Sequence, residues 1–242
     1  MAKTMRIDKL FSSLGLLSRT ECKIAVKRHE IYINGEVCRS NDDKIDPEID
    51  VITFKGSKVD TRTFVYYMLN KPAGVITAND DKRFQTVFDC IEDKRTDLSA
   101  VGRLDKDTTG ILIITNDGEL NHRLLSPKYH VPKTYQVLID GTLTEADKKL
   151  LEEGIDIGDE KNTLPAKVFE NDFENPQSVA LTITEGRFHQ VKRMFEALGK
   201  PVLKLHRSNF GPLLLDNALA PGEYRELTAD ELQQLKLATE KK

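Results

Sequence analysis

The sequence predicts an α+β protein in two parts. A small N-terminal unit of two helices and a short hairpin sheet precedes a larger domain, whose mixed, mainly antiparallel sheet is flanked by helices. Three observations carry this reading. Many strand-like segments are interspersed with helical ones without regular alternation. An Asn34-Gly35 pair between apolar runs marks an early hairpin. A polar stretch from Lys55 to Thr63, holding Gly56, reads as a break, so the boundaries fall at 1–58, a linker at 59–63, and 64–242.

In the first part, Ile7, Leu10, Phe11 and Leu14 recur at helical spacing, and Gly15 ends that helix. Ser18 caps a second helix, in which Cys22, Ala25 and Val26 face inward. Arg19, Lys23 and Lys27 recur every four residues, so they form a basic stripe on one face. Ile31-Tyr32-Ile33 and Glu36-Val37 are strands joined by the Asn-Gly turn. Asp46-Pro47 is a turn, and Val51 to Phe54 is a further strand.

In the second part, Phe64 to Leu69 is a strand, and Lys71-Pro72-Ala73-Gly74 turns the chain. Thr86 to Ile91 reads as a short helix, and Ile111 to Thr115 as a buried strand. Asn116-Asp117-Gly118 offers an N-cap for a helix reaching about Leu125, which Ser126-Pro127 ends. Lys133 to Ile139 alternates as a strand does, and Glu145 to Leu151 is helical. Two strands follow, Ala166 to Phe169 and Val179 to Thr184. Next come a helix from His189 to Leu198, a strand from Val202 to Leu205, and a last helix capped by Thr228.

Composition bounds the function. Charged residues make up 31% of the 242 and aromatic residues 7%, a globular balance. No apolar run approaches the ~20 residues of a membrane span, and the first residues hold no apolar signal core, so a cytoplasmic protein is expected. Cys22, Cys38 and Cys90 are too scattered for a disulfide framework or a zinc site. No phosphate-binding glycine motif supports a nucleotide cofactor. Net charge is −3, yet two segments are basic. Residues 1–30 carry seven Lys/Arg against three acids, and residues 186–210 carry six against one. A polyanion held at two places fits that distribution, and so does a pair of solvated helix faces.

The stretch that stands out is Gly102-Arg103-Leu104-Asp105-Lys106-Asp107-Thr108-Thr109-Gly110, a polar loop pinned between a short strand ending at Val101 and the buried strand after it. Scaffolded chemistry sits in such loops. Turn chemistry alone also explains two Asp and two Thr there.

Two families match. Residues 5–55 resemble the S4 RNA-binding domain, through Ile7-Asp8-Lys9-Leu10, the segment Leu16-Leu17-Ser18-Arg19-Thr20-Glu21, the basic helix, and Ile31-Tyr32-Ile33-Asn34-Gly35. One departure is His29-Glu30, where that family often has a basic-Gly pair. The resemblance implies an RNA-binding helical face carrying Arg6, Lys9, Arg19, Lys23, Lys27 and Arg28. Residues 64–232 resemble the small-subunit rRNA pseudouridine synthases, the RsuA-like family. This match rests on Gly102 to Gly110, on Lys133-Thr134-Tyr135, and on Glu185 to Met194 with its Arg187-Phe188-His189-Gln190-Val191-Lys192-Arg193 core.

This second resemblance implies an isomerase with no cofactor and no metal. It breaks the N1–C1′ bond of a uridine and rejoins the base through C5. Asp105 occupies the nucleophile position, either attacking C1′ directly or stabilising a glycal-like species. An ionised carboxylate in a pocket dry enough for a base needs a cation beside it. By position that cation is Lys192, with adjacent Arg193 as the alternative. Tyr135 matches the active-site tyrosine, able to stack on uracil and accept the C5 proton. Ile183 is a candidate for the apolar wall under the base. Asp107 is expected to cap the Thr108-Thr109-Gly110 turn. Arg103, Arg187, His189 and Arg193 are expected to contact RNA, with Arg103 a candidate to enter the position the flipped base leaves.

The His-Gln pair and the tail Ala220 to Leu227 point to a uridine of 16S rRNA, met on a small-subunit assembly intermediate. A monomer with no obligate protein partner and no membrane contact is expected. Alternatives are a 23S rRNA uridine, a non-catalytic S4-type assembly factor, and a metal-dependent hydrolase using Asp105 and Asp107.

Overall fold

A computed structural model describes residues 4–170 and 177–240. The chain divides into two compact units: Met1–Val65 with Ile91–Leu98, and Tyr66–Cys90 with Ser99–Lys242.

The N-terminal unit runs β1 (Met5–Arg6), α1 (Ile7–Ser13), α2 (Arg19–Lys27), β2 (Ile31–Ile33), β3 (Glu36–Val37), β4 (Lys44–Ile45), β5 (Ile52–Phe54) and β6 (Ser57–Lys58). Ser18 closes a capping box with Glu21 at the start of α2, which satisfies two backbone N–H groups that the helix leaves open. Cys22, Ala25 and Val26 join Ile7, Leu10, Phe11, Ile31 and Ile52 in one buried cluster. The sheet order is β3-β2-β5-β6. Asn34 and Gly35 take φ of +52° and +85°, the turn their sequence predicts. His29 sits at φ +55°, a conformation that a glycine adopts at little steric expense.

The polar stretch expected to separate the units behaves differently. Lys55 and Gly56 form the turn of the β5–β6 hairpin, with φ of +50° and +81°. Val59 is buried in the apolar cluster of the N-terminal unit. Buried Arg95 donates to the Arg62 carbonyl at 2.7 Å and pairs with Asp93 at 2.9 Å, fastening 60–62 to the 91–98 segment. A composition that reads as a linker is here a hairpin turn followed by chain held through side-chain bonds. The expected helix at Thr86 to Ile91 is a single 3-10 turn, Val87–Cys90, with Ile91 already in the N-terminal unit.

The second unit contains β7 (Tyr66–Lys71), β8 (Ser99–Ala100), β9 (Thr109–Thr115), α3 (Gly118–Leu125), β10 (Lys133–Ile139), α4 (Glu145–Glu153), β11 (Lys167–Glu170), β12 (Ser178–Ile183), α5 (Gln190–Ala197), β13 (Val202–Phe210), β14 (Leu213–Leu214), β15 (Tyr224–Glu226) and α6 (Ala229–Leu237). Its sheet runs β11-β12-β10-β13-β9-β7-β15, with β14 on β13 and β8 on β9. Every pairing is antiparallel except β13–β9, so the expected mixed, mainly antiparallel α+β class is what forms. Strand β9 is buried from Gly110 to Thr115, as a continuous apolar run requires. Asp117 caps α3 by accepting from the Leu120 N–H at 3.0 Å.

The parallel seam is where the site lies. There His206 and Arg207 face Thr109 and Gly110. Gly110 has φ +107°, and a Cβ on it would sit 2.2 Å from the Arg207 carbonyl oxygen. Only glycine lets the two strands approach this closely. On the other side of β13, the β10 pairing slips between Thr134 and Tyr135. Bulges of this kind re-aim side chains next to active sites.

Candidate active site

The loop between β8 and β9 is framed by its own backbone and by two neighbours. The Thr108 N–H donates to the Asp105 carbonyl at 3.1 Å, closing a turn. Thr77 clasps Leu104 twice, accepting from its N–H at 3.1 Å and donating to its carbonyl at 2.9 Å. The Gly74 N–H donates to the Lys106 carbonyl at 2.8 Å. From the end of β7, the Lys71 ammonium donates to the carbonyls of Pro72 at 3.0 Å, Lys106 at 3.4 Å and Thr108 at 2.9 Å. Lys71 is fully buried, and that burial pushes its pKa down to about 8 against the nearby Asp107 and Asp105 charges.

The Asp105 carboxylate faces two basic side chains of the 185–194 segment. His189 Nε2 lies 3.3 Å from Oδ1, and Lys192 Nζ lies 3.3 Å from Oδ2. Lys192 also donates to Asp107 Oδ1 at 2.6 Å. Burial works to lower the Lys192 pKa, but the bonds to Asp107 and Asp105 outweigh it and hold the ammonium above its ordinary range. The same bond to Lys192 holds Asp107 below the usual carboxylate range. Asp107 was expected to cap the turn. Instead its largely exposed carboxylate takes the Lys192 ammonium, and the turn closes through the backbone. An ion pair this exposed adds only ~0.2–1 kcal/mol, so Asp107 acts mainly by placing Lys192.

Of the two candidate cations, geometry separates Lys192 from Arg193. They are neighbours on α5 and so point about 100° apart. Arg193 turns to Asp159 and to the Ile157 and Phe188 carbonyls. Arg187 is likewise held inside the protein, donating to Glu185 at 3.1 Å, Asp159 at 3.3 Å, the Lys161 carbonyl at 2.6 Å and the Asn162 carbonyl at 2.8 Å. These two arginines brace the segment from below while Lys192 and His189 project to the loop. The φ of +48° at His189 kinks the chain ahead of α5 and presents the ring, which stacks on Phe188 with centroids 3.9 Å apart.

A cavity of about 740 Å³ opens over this cluster. Its walls include Arg103, Asp105, Tyr135, Ile183, His189 and Lys192. Tyr135 is 8% exposed and Ile183 2%, so both present faces to the cavity while packed into the sheet. Arg103 is exposed at the rim and has no side-chain partner among the described residues. Such a space, part apolar and part charged, accommodates a nucleotide-sized ligand.

Two side chains of the site lay outside the sequence-derived candidates, and a third is an exposed aromatic. In the sequence Lys71 is only part of a turn. Arg207, 2% exposed, lines the cavity floor, anchored by a bond from Nε to the Ile111 carbonyl at 2.9 Å. The apolar run that marks β13 stops at Leu205, so the strand's polar continuation carried no signal. Phe188 lines the cavity mouth at 75% exposure, with its ring against that of the adjacent His189. Lys133 also lines the cavity, and burial lowers its pKa to about 8.

Among the described residues no group of three or more His, Cys, Asp and Glu side chains could hold a metal ion. The gap between the two loop carboxylates is filled by the Lys192 ammonium, in the position a shared cation would need. His206, the other histidine near the site, packs with Nδ1 2.9 Å from Thr109 Oγ1.

In the N-terminal unit, Lys9, Arg19, Lys23, Lys27 and Arg28 are exposed, whereas the Arg6 guanidinium is engaged by Asp8 at 2.8 Å and Asp42 at 2.6 Å.

Residues 65–197 match the family model described as RNA pseudouridylate synthase. An uncharacterized RNA pseudouridine synthase of Bacillus subtilis, YtzG, is 47% identical over 96% of this chain and 98% of its own. The ribosomal small subunit pseudouridine synthase A of Yersinia pestis is 41% identical over 94% of this chain and 97% of its own. The protein of that name from Escherichia coli K12 is 38% identical over 94% and 98%. A crystal structure of a pseudouridylate synthase superposes with a TM-score of 0.68 at 39% identity, covering 96% of this chain and 99% of that one. With relatives at these identities aligned almost end to end, and a family model spanning more than half its length, the chain belongs to the RsuA-like family of RNA pseudouridine synthases, isomerases that act on RNA.

Proposed function

We propose that the protein converts one uridine of 16S rRNA to pseudouridine, with Asp105 as the catalytic carboxylate. The observation that carries this reading is the Asp105 carboxylate set 3.3 Å from Lys192 in a nucleotide-sized cavity walled by Tyr135 and Ile183. The names of the relatives from Yersinia pestis and Escherichia coli support a small-subunit substrate. A target base inside a duplex is out of reach, so the uridine turns out of its stack into the cavity. Asp105 then acts at C1′ as the N1–C1′ bond opens. Lys192 sets its ammonium against the carboxylate, and Tyr135 stacks on the free base and takes the C5 proton once C5 has rejoined C1′. Arg103, unpartnered at the rim, takes the vacated place in the RNA. Arg187 and Arg193, already bound within the protein, brace the site instead of holding RNA.

The N-terminal unit serves as an S4-type RNA anchor, its α2 stripe meeting phosphates of the rRNA fold. The enzyme works as a monomer in the cytoplasm, on a small-subunit assembly intermediate. The test is to incubate the protein with unmodified 16S rRNA, with 23S rRNA and with a small-subunit assembly intermediate, with and without chelator, and to map pseudouridine. One modified uridine in 16S rRNA, untouched by chelation, is the expected outcome. A site in 23S rRNA, or none at all, overturns the substrate.

A further inference from the structure

Arg207 is a fully buried guanidinium without a carboxylate. Its Nε donates to the Ile111 carbonyl, and its face lies over the Phe210 ring with 5.2 Å between the guanidinium carbon and the centroid. Its Nη2 is buried with no hydrogen-bond partner. No acidic side chain pairs with it among the described residues, although eleven other lysines and arginines among them do have such partners. A guanidinium keeps its proton wherever it is placed, so it does not escape burial by neutralising. In a purely structural arginine the remaining N–H groups would be satisfied. The other unpartnered polar atom among the cavity residues is the Thr108 hydroxyl oxygen Oγ1, also buried. Two residues of one cavity thus each hold a buried polar atom without a partner.

The location selects the ligand atom. Arg207 faces Tyr135 across the β10–β13 ladder, so the two side chains share one face of the sheet. Exposed Arg103 stands at the rim, where the charged backbone of an RNA stays in water. The floor, with Tyr135 beside it, is where the base goes. Uracil offers ring carbonyl oxygens there, and they gain negative charge when the N1–C1′ electron pair is left on the ring.

We propose that Arg207 is a catalytic residue that stabilises uracil as an anion between the breaking of N1–C1′ and the making of C5–C1′. The inference rests on the isomerisation proposed above. As N1–C1′ opens, its electron pair passes to the ring and spreads over N1 and the carbonyl oxygens, while Asp105 covers C1′. The Arg207 guanidinium, which lines the cavity, donates to a ring carbonyl oxygen that is now negatively charged. The ring turns with this bond as its tether. C5 then supplies an electron pair to C1′, loses its proton, and N1 takes one up, leaving composition and charge unchanged. Arg207 retains its proton throughout. Placed donors aimed where charge develops act most strongly in a site that excludes water.

The test uses the full chain with Arg207→Met and Arg207→Lys. Its first arm measures affinity for uracil and for 5-nitrouracil, whose nitro group makes it an anion at neutral pH. The wild-type chain is expected to prefer 5-nitrouracil, Arg207→Met to lose that preference, and Arg207→Lys to keep part of it. The second arm measures single-turnover pseudouridine formation in transcribed 16S rRNA, where Arg207→Met is expected to slow the chemical step by about 10²-fold or more at unchanged RNA affinity. An anion preference that persists in Arg207→Met overturns the proposal, and so does a loss confined to RNA affinity, which would assign the arginine to phosphate. Should Arg207→Met fail to fold, an undiminished preference in Arg207→Lys overturns it equally. If 16S rRNA is not modified at all, the substrate reading fails while the 5-nitrouracil arm still decides the role of Arg207.

Discussion

On α2, Arg19, Lys23 and Lys27 stand in solvent without ion-pair partners among the described residues, whereas in the 187–193 segment every basic side chain is engaged. Arg187 and Arg193 converge on Asp159, and Lys192 bridges Asp105 and Asp107. The two segments have similar charge in the sequence and opposite uses in the fold. Unpaired charge on a helix face is available to phosphates and is felt at long range. Paired charge has fixed direction, and direction is what a reacting carboxylate needs. The acids that make the difference, Asp159, Asp105 and Asp107, lie far from 187–193 in sequence, so counting charges in a window does not find them.

The largest effect that would break this comparison is at Lys192. Lys192→Met should lower pseudouridine formation by about 10²-fold or more, while Arg193→Met lowers it by less than tenfold and acts mainly through stability. Single-turnover rates with thermal melting separate the two, and equal losses would erase the division between a reacting and a bracing cation. A middle-sized effect belongs to the stripe. Replacing Arg19, Lys23 and Lys27 together by Gln should weaken rRNA binding and flatten its dependence on log salt by about 2, with turnover of bound RNA preserved. An unchanged salt slope would remove α2 from the RNA interface.

The smallest effect concerns buried Lys71 and half-buried Lys133 in the catalytic unit. Burial sets Lys71 and Lys133 at about 8, against an ordinary value of 10.5. Between those two values the unfolded chain binds more protons than the folded one, so stability rises with pH across that window. Below about 8 the burden of a buried charge is fully present. Lys133→Met removes one of the two contributions, and its unfolding free energy should rise less than that of wild type from pH 8 to pH 10. Parallel curves in urea unfolding would contradict the burial of that charge.

Much of the architecture was legible because local signals agreed with it. The Asn34-Gly35 turn, the Ser18 and Thr228 caps and the apolar run of β9 each specify their own conformation. The loop at 102–110 and its partners at 135 and 192 were legible through family resemblance, which carries placements that spacing does not. What stayed hidden depended on distant chain. Lys71 reads as turn composition until the carbonyls of 106 and 108 are brought to it. Arg207 reads as a polar strand end until Gly110 admits β13 alongside β9. The stretch 59–63 reads as a linker until Arg95 reaches it from another part of the sequence. Asp107 reads as a cap until Lys192 claims it.

The central claim is that Asp105 is the carboxylate without which no isomerisation occurs. Asp105→Asn is close to isosteric and leaves the loop backbone its bonds. With unmodified 16S rRNA under single-turnover conditions, this variant should bind RNA as wild type does and form no pseudouridine. Pseudouridine appearing at the wild-type position with Asp105→Asn would contradict the account.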